Sequence, residues 1–369
     1  MVKVEKRTLR SKQVNLITYT GTTQRIELPR DKFVRRIYLR QYGDLDIDTL
    51  GTPVPSPVPS LISKIRLIKN GSETIVEGDP SWLMAMDYVE HGGAPNNTVP
   101  HKKIGDSQYW QSTLVLDFMI NPMNENEFFV KNPMTGKIIT VMLPTSIYSS
   151  FVLEIDIDAS LATNALAGLY DTTPTTISDG TALLDITLEE VFREAGDVVI
   201  TPNDVFELRT IQHQKALGVS LVDHPYEVTT GVFMRRIAMF QNDVGSGVGN
   251  PKRPAQGVPM VDRFKLQQTS PVSWNILDMD FGALQAEDMR EYNVRTMERR
   301  SIAAGNVVES DHDTGVLAGF TMLDFDNGRN LYGGLDLVGM KSGDITLYMR
   351  TTAAAATTDY IFMLEQYII

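Results

Sequence analysis

Two strings, FVRRI from Phe33 to Ile37 and FMRRI from Phe233 to Ile237, stand 200 residues apart in a chain of 369. A recurrence at that interval is the repeat of a whole domain, so the fold must be one architecture made twice. The length agrees, being too great for one core and right for two of roughly 180 residues each. Both strings alternate as a half-buried strand requires. Ile37 and Leu39 fall on one face with Arg36, Tyr38 and Arg40 on the other, and Ile237 and Met239 repeat the apolar face.

The repeat extends along the chain. Each strand leads into a loop that cannot enter a sheet, GTPVPSPVPS at Gly51 to Ser60 and GSGVGNPKRPAQGVP at Gly245 to Pro259. ISKIRL from Ile62 then matches VDRFKL from Val261, with Ile65 and Leu67 facing the way Phe264 and Leu266 do. Asn70-Gly71 is a hairpin turn signal, where the second copy has Gln-Gln-Thr-Ser-Pro. A helix follows in both. Asp79-Pro80 supplies a cap and a first-turn proline, Trp82, Leu83, Met86 and Val89 share an apolar face, and His91-Gly92-Gly93 ends it. Phe281, Leu284 and Tyr292 recur near helical spacing in the second copy.

Leu116-Asp117-Phe118 and Leu323-Asp324-Phe325 continue the correspondence. FVLEIDID points Phe151, Leu153, Ile155 and Ile157 inward and Glu154, Asp156 and Asp158 outward, with DITLYMR (Ile345, Leu347, Met349) as its counterpart. The last strands are LLDITLEEVF from Leu183 and YIFMLEQYII from Tyr360. Residues 1–18 read as a basic arm, 19–196 as the first domain and 205–369 as the second, with the boundary at 196–204. About eight short strands per copy, one helix and no alternating strand-helix rhythm predict an all-β chain of two antiparallel β-sandwiches. At this size the jelly roll is favoured over the immunoglobulin sandwich, which needs only about 100 residues.

With 42% hydrophobic and 22% charged residues the composition is that of a folded globular protein. A net charge of −12 argues against a chain that coats nucleic acid through its overall field. There is no cysteine, which excludes disulfides, thiolate metal sites and cysteine nucleophiles. The start, MVKVEKRTLRSKQV, has no apolar stretch of signal-peptide length, and no run of about 20 apolar residues occurs. A soluble chain outside the ordinary secretory route is expected.

Tandem jelly rolls, each with an extended segment entering FxRRI and a loop leading to ISKIRLIKNG or its counterpart, resemble the double jelly-roll major capsid proteins of tailless icosahedral DNA viruses. These are the viruses of the tectivirus and adenovirus-like lineage, and the resemblance spans Tyr19 to Ile369. It implies two eight-stranded jelly rolls with a short helix in each, and a structural role in the virion. It further implies a homotrimer forming a pseudo-hexagonal capsomer, with neighbouring capsomers and penton or minor capsid proteins as partners and assembly in the host cytoplasm. Duplication suits such a tile because the halves can diverge at their edges. The loops Gly51 to Ser60 and Gly245 to Pro259 become candidates for crown or inter-subunit contacts, the alternative being plain solvated connectors. Lys3, Lys6, Arg7, Arg10 and Lys12 stand against one acid, Glu5, and such an arm can meet an internal membrane's anionic head groups, each cation contributing about 1 kcal/mol. The alternative is a solvated tail.

Other functions find little support. A bicupin metal site needs a close histidine pair, which His91, His101, His213, His224 and His312 do not contain. A carbohydrate-binding or glycan-processing tandem sandwich is the competing reading, since any acidic β-protein can supply carboxylate pairs. Yet Glu154, Asp156 and Asp158 have the spacing of any solvent-facing strand, and Glu189-Glu190 carries no signature. The acidic loops Asp44/Asp46/Asp48, Asp311/Asp313 and Asp324/Asp326/Asn327 lack a full calcium pattern and read as turn formers. The sequons at Asn70 and Asn96 read as chance matches. No GxSxG, Walker or Rossmann motif is present. Arg35-Arg36 and Arg235-Arg236 are expected as edge or interface charges, with at most one of each pair reaching a common ligand and no sequence-specific nucleic acid binding. No catalytic, cofactor-binding or metal residue is expected.

Overall fold

A computed structural model of the chain describes residues 8–13, 23–47, 61–91, 97–98, 108–118, 129–131, 138–140, 142–157, 177–180, 183–191, 207–218, 221–242, 260–292, 319–326, 334–352 and 360–369. The first half contributes β1 (Thr8–Gln13), β2 (Thr23–Glu27), β3 (Phe33–Ile47), β4 (Ile62–Lys69), β5 (Glu73–Gly78) and helix α1 (Pro80–His91). It continues with β6 (Asn97–Thr98), β7 (Gln108–Asp117), β8 (Phe129–Lys131), β9 (Ile138–Thr140), β10 (Leu143–Pro144), β11 (Phe151–Ile157), β12 (Ile177–Gly180) and β13 (Leu183–Val191). The second half has β14 (Leu208–Ala216), β15 (Asp223–Glu227), β16 (Phe233–Asn242), β17 (Val261–Gln268), β18 (Trp274–Asp280) and α2 (Phe281–Tyr292). Last come β19 (Phe320–Asp324), β20 (Leu335–Asp336), β21 (Ile345–Thr351) and β22 (Tyr360–Ile368).

The halves share one topology. In the first, β1-β13-β3-β7 form one sheet and β2-β11-β4-β5 the other; in the second the orders are β14-β22-β16-β19 and β15-β21-β17-β18. Strand for strand these are the same sequence of neighbours, the jelly roll expected from the repeat. The expected arm is in part strand, since the backbone of Thr8–Gln13 pairs antiparallel with β13. Its string TLRSKQ lacks alternating apolar residues, which an edge strand does not need. Lys3, Lys6 and Arg7, both long loops and the 196–204 boundary lie outside the described residues.

Local chemistry explains the elements. Asn70 and Gly71 take φ of 52° and 84°, the paired left-handed conformations that turn the chain in the three-residue loop, Asn70 to Ser72, closing the β4–β5 hairpin. The Asp79 carboxylate accepts from the Ser81 N–H at 2.9 Å, capping α1, and Trp82, Leu83, Met86 and Val89 are buried as their spacing predicts. On β11, Phe151, Leu153, Ile155 and Ile157 all enter the core. No helix among the described residues is long and apolar enough to cross a membrane.

The two barrels are not separate bodies on a string. Strand β5 of the first pairs in parallel with β14 of the second, Thr210 opposite Val76 and Ile211 opposite Glu77, so the sheets merge into one of nine strands. Strand β16 shows what this does to its sequence. Ile237 and Met239 fill the second barrel's interior, while Ala238 and Phe240 join the first barrel's core cluster. The equivalent outer positions on β3, Tyr38 and Arg40, are polar. Trp82 of α1 stacks on Phe240 with ring centroids 4.6 Å apart and reaches Phe362 at 6.2 Å. Truncating Trp82 to alanine is expected to cost about 3–5 kcal/mol, typical of a buried large aromatic, measured by urea unfolding. Because the ring bridges the barrels, limited proteolysis should release the halves from that variant sooner than from the wild type.

Candidate functional site: the arginine locks and the seam between barrels

The two repeated strings found in the sequence are partners in space. In each barrel the FxRRI strand carries a β-bulge: Arg35 is the extra residue against β13, and Arg235 is the extra residue against β22. The carbonyl of each bulged arginine accepts from the phenylalanine of the Leu-Asp-Phe string, Phe118 N–H at 3.0 Å and Phe325 N–H at 2.9 Å. The next arginine then donates through Nε to that string's aspartate, Arg36 to Asp117 at 2.6 Å and Arg236 to Asp324 at 3.1 Å. Two sequence repeats are thus two halves of one lock, made twice.

The arginines correct the expectation of edge or interface charges. Strand β3 lies between β13 and β7, and β16 lies between β22 and β19, so neither is an edge. Arg35, Arg235 and Arg236 are buried and Arg36 is half-buried. In the first barrel both members of the pair reach one partner, since Arg35 and Arg36 approach Glu189 at 3.4 and 3.8 Å, whereas Arg235 and Arg236 take separate carboxylates, Asp326 and Asp324. The extra residue of the bulge breaks the alternation and turns neighbouring side chains toward one cluster. Glu189 and Glu190, which carried no signature in the sequence, are buried here, and Glu189 also accepts from the Tyr38 hydroxyl at 2.8 Å. In the second barrel Arg235 reaches Asp326 at 3.0 Å and Gln366 at 3.4 Å.

At one end of the seam, charge ties barrel to barrel. Glu207 of the second accepts from Tyr148 at 2.7 Å and Lys69 at 2.9 Å of the first, and from Arg209 at 3.2 Å. Arg209 also meets Glu73 of the first barrel at 3.3 Å. Burial, reinforced by Glu207, raises the Tyr148 phenol far above its usual range and keeps it a proton donor. Where the helix begins, the Gln212 side chain accepts from the Asp79 N–H at 2.7 Å. Gly78 permits this closeness, since a Cβ there would stand 3.2 Å from both Leu364 and Leu83.

The remaining residues singled out in the sequence do not converge. His213 lies 3.4 Å from the buried Glu365 and His224 sits on β15, while His101 and His312 are outside the described residues and the His91 side chain is not described. Glu154 and Asp156 are bound by Arg66 at 3.3 and 3.1 Å instead of standing free toward solvent, and Asp158 is outside the described residues. Asp324 and Asp326 form a turn, the Asp326 N–H donating to Asp324 at 2.8 Å, but they also hold the arginines. Asp44 is exposed on β3, Asp46 is described only in its backbone, and Asp48, Asp311, Asp313 and Asn327 lie outside. Among the described residues no group of three or more acids and histidines is placed to hold a metal ion. No sequence signal marks Asp288 on α2, which is buried and accepts from the Thr321 hydroxyl at 3.0 Å and the Met322 N–H at 2.9 Å. Burial pushes its carboxyl up to about 7, with Glu287 and Asp324 adding to the rise against those two hydrogen bonds.

Two jelly rolls of one topology, fused edge to edge in a single chain, define a double jelly-roll protein. No protein-family model matches the sequence, and no curated protein matches it. Among solved structures the chain is similar to the major capsid protein of Sulfolobus turreted icosahedral virus, with a TM-score of 0.66 at 14% identity over 98% of this chain and 97% of that one. It is also similar to a chain of the PBCV-1 virus capsid (TM-score 0.58, 12% identity, 100% of this chain and 94% of that). A third likeness is to the major capsid protein of bacteriophage PM2 (TM-score 0.54, 12% identity, 98% and 97%). These likenesses show the fold, and they run through both barrels.

The lock and Asp288 each generate a test. Asp324→Ala should destabilise the chain by about 3–5 kcal/mol by leaving Arg236 buried without its carboxylate, whereas Arg236→Met with Asp324→Leu should cost far less. Chemical denaturation of the two variants measures the difference. Asp288, with a folded pKa above the unfolded value, binds more protons folded than unfolded between about pH 4 and 7, so its contribution to stability falls as pH rises through that window. Asp288→Asn should remove that part of the pH dependence of the melting temperature.

Proposed function

We propose that this chain is a major capsid protein, three copies of which form a pseudo-hexagonal capsomer that tiles an icosahedral shell. The observation that carries this reading is the seam: two barrels of identical topology held side by side, so that each chain brings two near-equivalent units to one tile. Three such chains supply six units, which lets a threefold object occupy a sixfold position. The whole-chain likeness to capsid proteins of three icosahedral viruses supports it. The role is structural, with no reaction assigned, and the place of action is the virion after assembly in the host cytoplasm. Lys3, Lys6 and Arg7 precede β1 and suit contact with anionic lipid beneath a shell.

The glycan reading is less well supported, because Glu154 and Asp156 are engaged by Arg66. Light scattering after size exclusion is expected to give three times the 41.2 kDa chain mass, and negative-stain microscopy to reveal hexagonal tiles. A strict monomer at high concentration, without tiles or shells, would overturn the proposal.

A further inference from the structure

The seam inside the chain has an unfilled equivalent on its outside. Within the chain, β5 is the fifth principal strand of the first barrel and pairs with β14, the first strand of the second. The matching fifth strand of the second barrel is β18, which borders its four-stranded sheet with β17 as its one neighbour among the described residues. The matching first strand of the first barrel is β1, which borders its own sheet with β13 as its one neighbour among the described residues. One chain thus ends in both halves of a contact that it has already made once.

Exposure agrees with this. Ile75 and Val76 on β5 are buried, whereas Ile276 and Leu277 at the same positions of β18 are only partly covered, and Trp274 is 54% exposed. Helix α1, against the seam, is buried at Trp82 and Met86, while its counterpart α2 exposes Ala283 and Glu287 there. An open sheet edge accepts a further strand through its main-chain N–H and C=O groups.

Barrel equivalence gives the register. Val76 pairs with Leu67 and Leu277 with Leu266, which makes Val76 and Leu277 counterparts. Thr210 pairs with Gln366 and Arg10 with Glu189, and both partners face the arginine following the bulge, making Thr210 and Arg10 counterparts. Thr210 lies opposite Val76 in the seam. We infer that the open edge of β18 receives β1 of a second copy in parallel, with Arg10 level with Leu277 and Ser11 level with Asp278.

Charge supports that occupant. The incoming strand carries Lys12, and the receiving strand ends in Asp280, while Asp278 is already held by Arg263 at 2.6 Å. Lys12 replaces Gln212, the residue that meets Asp79 at the helix start, and the counterpart of Asp79 is Asp280. The aromatic contacts of the inner seam are absent from the outer one, where Trp82, Phe240 and Phe362 become Ala283, Arg40 and Asp185. A contact held by main chain and opposite charge, without a stacked aromatic centre, suits subunits that fold first and associate afterward, and it weakens with salt.

This inference rests on the capsid reading and identifies the surface by which copies of the chain join. The chain has no cysteine, so a pair introduced by Ser11→Cys and Asp278→Cys reports on that contact alone. Mild oxidation should give covalent dimers and trimers on denaturing gels, while Ser11→Cys with Asp336→Cys should give neither. As a second measurement, Asp280→Lys and Lys12→Glu should each lower the fraction of trimer, and together should restore it. A wild type that remains monomeric would sink the capsid reading and this contact with it. Wild-type trimers whose Ser11→Cys/Asp278→Cys pair links no better than the control, or whose charge reversals leave the trimer fraction unchanged, would sink the contact alone.

Discussion

A guanidinium buried against a carboxylate in the middle of a sheet is the constraint on which both barrels depend. Arg236 has no exposed side-chain surface, and its Nε is held by Asp324 from the neighbouring strand. Such a pair adds less stability than its Coulomb energy suggests, because both groups lose their hydration. It acts by exclusion. A one-residue slip between β16 and β19 would leave two charges buried without partners, so the pair favours one register strongly over its alternatives. The bulge at Arg235, backed by the carbonyl bond to Phe325, sets the local twist that makes the pairing possible. Duplication has kept this arrangement in both halves while the strands around it changed.

The divergence that followed is concentrated where the barrels meet. Phe240 and Ala238 make the outer face of β16 apolar because α1 lies on it, and the equivalent Arg40 and Tyr38 keep the outer face of β3 polar. The two copies therefore share an interior and differ in their exteriors. A single chain can in this way have one permanent contact with an aromatic centre and one held by main chain and charge alone, built on a common scaffold.

Much of the fold was legible because period, caps and turns are local signals. The alternation of Phe151 to Ile157, the Asp79-Pro80 helix start and the Asn70-Gly71 turn each declare themselves within a few residues. The locks did not, since Arg36 and Asp117 are 81 residues apart and Arg236 and Asp324 are 88 apart, and strand periodicity conceals a bulge. The apolar face of α1 was visible, but periodicity reports that a face is covered and not which barrel covers it. Strand β1 was missed because a polar edge strand and a polar tail look alike in one dimension.

The parallel pairing of β5 with β14 carries a consequence for orientation. In each barrel, short connections of residues 28–32 and 228–232 reverse the chain between β2 and β3 and between β15 and β16. With the antiparallel ladders, this gives β3 and β5 one direction, and β14 shares its direction with β16. Parallel contact at the seam then points β3 and β16 the same way, so the chain leaves both at a common end and enters β1 at the opposite end. An antiparallel seam would have set one barrel upside down. The pair is instead a polar object with a top and a bottom, and a sheet of such objects has an outside and an inside before anything is enclosed.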